Sequence, residues 1–161
     1  MSRWRFAPVL ALPMVVAYLA LGAGAAAEGP ALTLELKELE KGSTFTHVRS
    51  TPAAPQKSNL QGDLIVFANP VAEPSGRVVG KLSVACVTTT GAKVFTNSEL
   101  TCTGVMKLPG GNLTIVANTS PGMSTTTGAV TGGTGSYANA AGVYLSKEVK
   151  GGSLTTISLA G

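Results

Sequence analysis

Clusters of turn-forming residues recur along the chain from residue 74 onward and divide it into short segments. Gly and Pro interrupt regular structure, because Pro lacks a backbone donor and Gly adopts turn conformations freely. The clusters are Pro74-Ser75-Gly76, Pro109-Gly110-Gly111, Pro121-Gly122, Gly132-Gly133 and Gly151-Gly152. The segments between them are rich in Thr, Val and Leu, which is typical of β-strands. The pattern predicts an all-β domain, either a closed antiparallel barrel or a sandwich.

Eight segments carry this strand character, and almost no part of the chain indicates a helix. The predicted strands are 31–40, 62–69, 77–89, 93–107, 112–119, 124–131, 137–147 and 152–160. Of the 161 residues, 44% are hydrophobic and 12% are charged, which excludes a coiled coil and a disordered tail. The length fits a single domain.

The first segment contains Leu, Glu and Lys and could be mistaken for a helix. Its apolar residues nevertheless recur with a period of two, as in a half-buried strand. The alternating sets are Leu32, Leu34 and Leu36 against Thr33, Glu35 and Lys37. Alternation alone places the leucines on the buried face and Glu35 on the solvent face.

The N-terminal residues follow the succession of a secretory signal peptide: basic residues, then an apolar run, then small residues. Arg3 and Arg5 precede an apolar run over residues 7–20, which ends in the small-residue stretch LGAGAAA. Ala25 and Ala27 occupy the positions of a cleavage site. We therefore predict a signal peptide over residues 1–27, a mature domain over 28–161 and a secreted protein without stable membrane insertion. The alternative is a retained membrane anchor.

The two cysteines, Cys86 and Cys102, lie in neighbouring β-type runs. Antiparallel pairing of these runs places the two residues opposite each other when paired residue numbers sum to 188. Directly opposed residues have a Cα separation that a disulfide can bridge, and an exported protein meets an oxidising compartment. We predict a disulfide; the alternative is a pair of buried free thiols.

The composition argues against three common functions: triad catalysis, metal binding and nucleic-acid binding. The chain has one histidine, His47, and one aspartate, Asp63, so a Ser-His-Asp triad would need both. Asp63 follows a glycine at a strand start, where a turn-capping role is commoner. The residues offer no credible metal set, and we expect neither a metal nor a cofactor. The sequence has neither clustered basic residues nor aromatic residues interleaved with them, so it does not indicate a nucleic-acid partner.

Segment 50–61, STPAAPQKSNLQ, contains two prolines and no apolar periodicity. It predicts a long irregular connection between strands. Such a loop at a barrel mouth can act as a lid, or it can be a solvated linker. The sequence favours neither.

Three stretches in the order GDLIVFANPV, GKLSVACV and TGGTGSYANAAG give the chain a family resemblance. With this order and spacing, residues 31–160 resemble the allene oxide cyclase and dirigent barrel superfamily. The resemblance implies an eight-stranded antiparallel β-barrel, lipocalin-like in shape, around an apolar cavity. It also implies cofactor-free chemistry on an apolar small molecule.

The resemblance assigns roles to particular residues. Glu35 and Asn69 match catalytic positions, and Phe67 and Tyr137 are assigned to substrate binding. An inward Glu35 would turn the leucines of that strand outward, where subunit contacts must cover them, so a homotrimer is implied. The expected function is a secreted cyclase, isomerase or dirigent-like guide. The alternative is a non-catalytic structural or carrier protein whose barrel is filled with side chains.

Overall fold

The computed structural model describes residues 32–52 and 58–160. Segment 1–27 lies outside these residues, as do residues 53–57 of the predicted loop. The described chain forms nine strands and two short 3₁₀ turns, over Phe95–Asn97 and Gly135–Tyr137. The strands are β1 (Leu32–Leu39), β2 (Thr44–Val48), β3 (Leu64–Ala72), β4 (Val78–Thr90), β5 (Glu99–Leu108), β6 (Gly111–Thr119), β7 (Thr125–Gly133), β8 (Gly142–Val149) and β9 (Gly152–Leu159). No described helix is long and apolar enough to cross a lipid bilayer.

Eight of the strands close into an antiparallel barrel. The hydrogen-bonded order runs β1-β9-β8-β7-β6-β5-β4-β3, and β1 pairs with β3 to complete the ring. The register at the closure is Lys37 with Ala72 and Glu38 with Val71. The all-β class and the eight-stranded barrel are therefore confirmed, and the sandwich alternative is wrong.

The sequence prediction differs from the structure at three places, one of which is the predicted strand over 137–147, which begins only at Gly142. Strand β2, which pairs with the first half of β3, was not predicted, because TFTHV has no clear apolar alternation. The predicted strand over 93–107 begins only at Glu99, since the preceding residues form a 3₁₀ turn.

Leu34 and Leu36 of β1 point into the barrel. Leu36 is buried and Leu34 is half-buried, whereas Glu35 between them is exposed on the outer wall. The inward Glu35 implied by the family resemblance is therefore wrong, and simple alternation gives the correct face. The outward leucine row that would have required subunit contacts is absent from this strand, since only Leu32 at its start is exposed.

One end of the barrel is filled by side chains. Val71, Met106, Leu113 and Ile157 are fully buried there. The glycines of TGGTG let the chain turn tightly over this end: a Cβ on Gly133 would lie 2.2 Å from the carbonyl oxygen of Tyr137. This close approach explains the motif by backbone geometry.

The connection after β2 is tied into the barrel at both described ends. Asn59 is fully buried, forms a β-bridge with Ala92 and donates through its side chain to Ser98 Oγ at 2.7 Å. Thr88 donates to the Asn59 side-chain oxygen at 3.0 Å. Ser58 and Asn59 are buried and Leu60 is half-buried, so the solvated-linker interpretation is wrong for residues 58–60, whereas Gln61 is exposed.

The predicted disulfide is confirmed. Cys86 on β4 and Cys102 on β5 are directly paired in the sheet and joined through their sulfurs, which excludes two free thiols. Both side chains are buried in the barrel interior.

Loss of this disulfide should destabilise the fold without changing it. The bridge closes a loop between residues 16 apart, and a loop of this size contributes about 3 kcal/mol, mainly by restricting the unfolded chain. Urea unfolding of the Cys86→Ala/Cys102→Ala variant should show that loss against the oxidised wild type. An unchanged unfolding midpoint would contradict the estimate.

Candidate functional site

A cavity of about 340 Å³ occupies the other end of the barrel. It opens where β6 joins β7, beside Pro121, Met123 and the aromatic rings of Phe45 and Phe95. Phe45 is 62% exposed and Met123 is 51% exposed, so the rim presents apolar groups to solvent. Ligand cavities begin at roughly 300 Å³. The barrel is therefore not completely filled, unlike the structural or carrier protein considered above.

One side of the cavity is apolar. Strands β3 to β6 point alternate side chains inward, and the buried disulfide lies among them. The apolar lining on these strands includes Ile65, Phe67, Leu82, Val84, Leu100 and Ile115. Gly104, which has no side chain, and Ala117, which has only a methyl group, lie on the same strands and do not project far into the cavity.

The opposite side carries hydroxyl and carboxyl groups. On β8, Tyr144, Ser146 and Glu148 alternate with outward residues and all line the cavity. On the neighbouring strands β9 and β1, Ser153 and Glu38 line it as well. The cavity is thus amphipathic: both of its carboxylates lie on this side, and Asn69 of β3 adds an amide.

Glu38 is the buried acid of this polar side, and it is 5% exposed. Its Oε1 accepts hydrogen bonds from the Tyr144 hydroxyl at 2.6 Å and the Thr155 hydroxyl at 2.7 Å. Its Oε2 accepts a longer bond, 3.4 Å, from the Asn69 side-chain amide. Two short bonds to one oxygen fix the carboxylate in place and leave Oε2 the less engaged atom.

Tyr144 stays protonated at this site. Burial raises the pKa of its phenol far above the ordinary value of 10.0, and the neighbouring carboxylate of Glu38 raises it further. The ionised phenolate would be both desolvated and repelled by Glu38. Tyr144 is therefore a permanent hydrogen-bond donor to Glu38.

Only two of the four residues predicted to be catalytic or to bind substrate line the cavity. Asn69 and Phe67 line the cavity, and Glu35 does not, because it lies on the outer wall. Tyr137 lies in a 3₁₀ turn at the filled end, with its hydroxyl 3.4 Å from the Pro109 carbonyl oxygen, and it does not line the cavity. The acid of β1 that faces inward is Glu38, which prediction from the sequence missed.

A signal for Glu38 was present in β1. Leu34, Leu36 and Glu38 share one face of the strand by their spacing of two. Continuing the leucine alternation to its end would have pointed this glutamate inward. Cys86 and Cys102 line the cavity as the disulfide.

The second acidic network does not form a catalytic triad. Oδ1 of Asp63 accepts two hydrogen bonds from Ser50, backbone and hydroxyl, each at 2.7 Å, whereas Oδ2, the atom that faces His47, accepts one from the Leu60 backbone at 2.9 Å. Nε2 of His47 lies 3.1 Å from the same Oδ2. Because the Ser50 hydroxyl donates to the acid and not to His47, no base activates it.

The pKa of Asp63 lies well below its ordinary value of 3.8. Burial alone would raise it, but the hydrogen bonds from Leu60, Ser50 and His47 stabilise the ionised form and outweigh burial. Asp63 is therefore a structural anion that holds the ends of the connection after β2. Within residues 32–52 and 58–160, no three acidic, histidine or cysteine side chains are grouped as metal ligands.

The chain matches no protein-family model and no curated protein sequence. Solved structures do share its fold. A pyocyanin demethylase superposes with a TM-score of 0.62 at 23% identity, over 80% of this chain and 98% of that one. The fold is that of the dirigent and cyclase barrels.

Two further structures support this assignment of the fold. A pterocarpan synthase dirigent protein gives a TM-score of 0.56 at 18% identity, covering 81% of this chain and 82% of its own. The Diels-Alderase AbmU from Streptomyces koyangensis gives 0.55 at 11% identity, covering 86% and 71%. The resemblance drawn from the sequence motifs is confirmed at the level of the fold.

Proposed function

We propose that the protein binds an apolar, ring-containing small molecule in the barrel cavity and isomerises or cyclises it without a cofactor. The observation that carries this proposal is the Glu38 carboxylate, buried on the polar side of a cavity whose opposite wall is apolar. A carboxylate held in the wall of a ligand cavity is positioned to act as a general base toward the bound molecule.

In this mechanism, Oε2 of Glu38 accepts a proton from one atom of the ligand. Tyr144 and Thr155 hold Oε1, so the carboxylate does not rotate when the ligand enters. Asn69, beside Oε2, hydrogen-bonds the carboxylate or a ligand oxygen. Glu38 then returns the proton to another ligand atom, so the reaction is an isomerisation that neither gains nor loses electrons.

The structural neighbours support small-molecule chemistry in such a barrel. Their names describe a demethylase of pyocyanin, a pterocarpan synthase and a Diels-Alderase. The dirigent protein among them favours a second candidate, in which the cavity orients a reactive ligand without proton transfer. The two candidates differ in their need for Glu38.

We also propose that the protein acts after export and as a homotrimer. The disulfide supports export, because such bonds persist in oxidising compartments. The outer wall supports self-association: Val66, Thr103, Val116 and Val143 lie in one continuous row of the register and carry no charge. The three valines of this row are exposed.

Native mass spectrometry of the protein purified from its own host tests ligand binding and subunit number together. We expect one retained small molecule per chain and a trimer mass. The Ala117→Phe variant should retain no ligand, because the ring projects into the cavity. Over-packing costs about 1–3 kcal/mol, so a thermal melt must show that the variant is folded.

The matched control adds the same ring outside the barrel. Asn118 is the next residue of β6 and is exposed on the outer wall, so Asn118→Phe should keep the ligand. A wild-type protein that carries no small molecule, and takes none up from a host extract, contradicts the proposed function.

A further inference from the structure

The cavity contains a second carboxylate that the proposed reaction does not use. Glu148 on β8 and Glu38 on β1 both pair with Ser153 of β9, from opposite sides. All three residues line the cavity. The two acids therefore lie in one cross-strand row, two strands apart, which is a backbone spacing of about 10 Å. Glu38 is buried and Glu148 is exposed at the opening.

No cationic side chain balances these acids in the cavity. Among the described residues that line it, none is Lys, Arg or His. The neighbour of Glu148, Lys147, points outward by strand alternation, and His47 is held by Asp63. The hydrogen bonds to Glu38 come from neutral groups, which leave its negative charge uncompensated.

Aromatic rings complete the surroundings of these charges. Phe45 and Phe67 are directly opposed on β2 and β3, and both line the cavity together with Phe95 and Tyr144. The faces of such rings attract cations, most strongly where water is excluded. The cavity thus combines two negative charges with four ring systems and contains no positive group among its described lining residues.

We propose that the ligand of this cavity is a planar, largely apolar aromatic ring system that carries one delocalised positive charge. This inference rests on the proposed function, because it takes the cavity as the ligand site. The apolar wall covers the ring faces, and the positive charge lies toward Glu38. Glu148 at the opening attracts the cation from solvent and repels anions of the same shape.

Three probes of one shape but different charge test this inference. Fluorescence titration with 10-methylacridinium, neutral 9-methylanthracene and anthracene-9-carboxylate measures the contribution of charge alone. We expect the cation to bind at least about tenfold more tightly than the neutral ring, as a desolvated cation between carboxylates and rings should. The carboxylate probe should bind most weakly.

Variants assign the preference to the two acids. Glu148→Gln should reduce the preference for the cation by about threefold, the size expected of an exposed charge, and the effect should fade in high salt. The single variant Glu38→Gln should have the larger effect and remove most of the preference for the cation over the neutral ring. In both variants the neutral ring should bind as it does to the wild type. Glu35→Gln, which removes an equal charge from the outer wall, should change neither affinity.

The outcomes separate the inference from the function on which it rests. Equal binding of the neutral and cationic rings overturns the inference and leaves the cavity as a site for apolar ligands. Tighter binding of the carboxylate probe overturns it as well. If none of the three probes binds, both the cationic ligand and the proposed function fail.

Discussion

Replacing Glu38 by Gln is expected to slow turnover of the ligand recovered from the native protein by about 10²–10⁴-fold, the usual contribution of a positioned general base. The amide keeps an oxygen that accepts from Tyr144 and Thr155, so the cavity wall stays intact. What is lost is the atom that accepts the ligand proton. The measurement is the rate at saturating ligand, together with the dissociation constant of the ligand.

The control for this substitution lies in the same strand. Glu35→Gln makes the same chemical change three residues away, on the exposed outer wall, and should leave the rate unchanged. An unchanged rate in Glu38→Gln, with product stereochemistry preserved, would reject proton transfer and favour a dirigent-like guide. A loss of rate in Glu35→Gln would instead require the outer wall to take part in the reaction.

The fold was largely predictable because its signals are local. Turn clusters and period-two alternation depend on neighbouring residues, and they locate most strands of the barrel. The disulfide was predictable for the same reason, since Cys86 and Cys102 lie in consecutive strands that pair in a simple hairpin register.

The site was less predictable because it is assembled from distant parts of the chain. Glu38 meets Tyr144 across 106 residues and Thr155 across 117. These contacts exist only after β1 has paired with β9 and closed the barrel. The alternation of β1 predicts that Glu38 points inward, but the family resemblance assigned the catalytic role to Glu35 instead. Asn69 lines the cavity because the inward face of β3 continues from Ile65 through Phe67 to Asn69.

The two ends of the barrel are packed differently: one is filled with side chains and the other holds the cavity. Large residues such as Met106 and Leu113 fill one end and supply apolar burial. Small residues such as Gly104 and Ala117 line the cavity on the same strands, β5 and β6, and leave it open. The cavity therefore follows from side-chain size along strands whose backbone pairing continues through both ends.

Asp63 stabilises the fold beside the cavity, and Asp63→Asn is expected to cost about 3 kcal/mol, because a buried acceptor becomes a donor facing donors. Each carboxylate oxygen of Asp63 accepts two hydrogen bonds, from Ser50, Leu60 and His47. An amide nitrogen at either position meets two donor groups that it cannot satisfy. Urea unfolding at pH 7 measures the loss.

The effect should depend on pH in a defined direction. The folded pKa of Asp63 lies below its ordinary value of 3.8, so the unfolded chain takes up the proton first as the pH falls. Its contribution is therefore fully present well above pH 3.8 and declines below it, toward the folded pKa. The difference in unfolding free energy between wild type and Asp63→Asn should shrink between pH 5 and pH 2.5. As a control, Glu73→Gln removes an exposed carboxylate whose pKa is lowered chiefly by Arg77, and it should leave the urea midpoint at pH 7 unchanged.

A difference in unfolding free energy between wild type and Asp63→Asn that stays constant from pH 5 to pH 2.5 would show that ionisation of Asp63 does not stabilise the connection after β2.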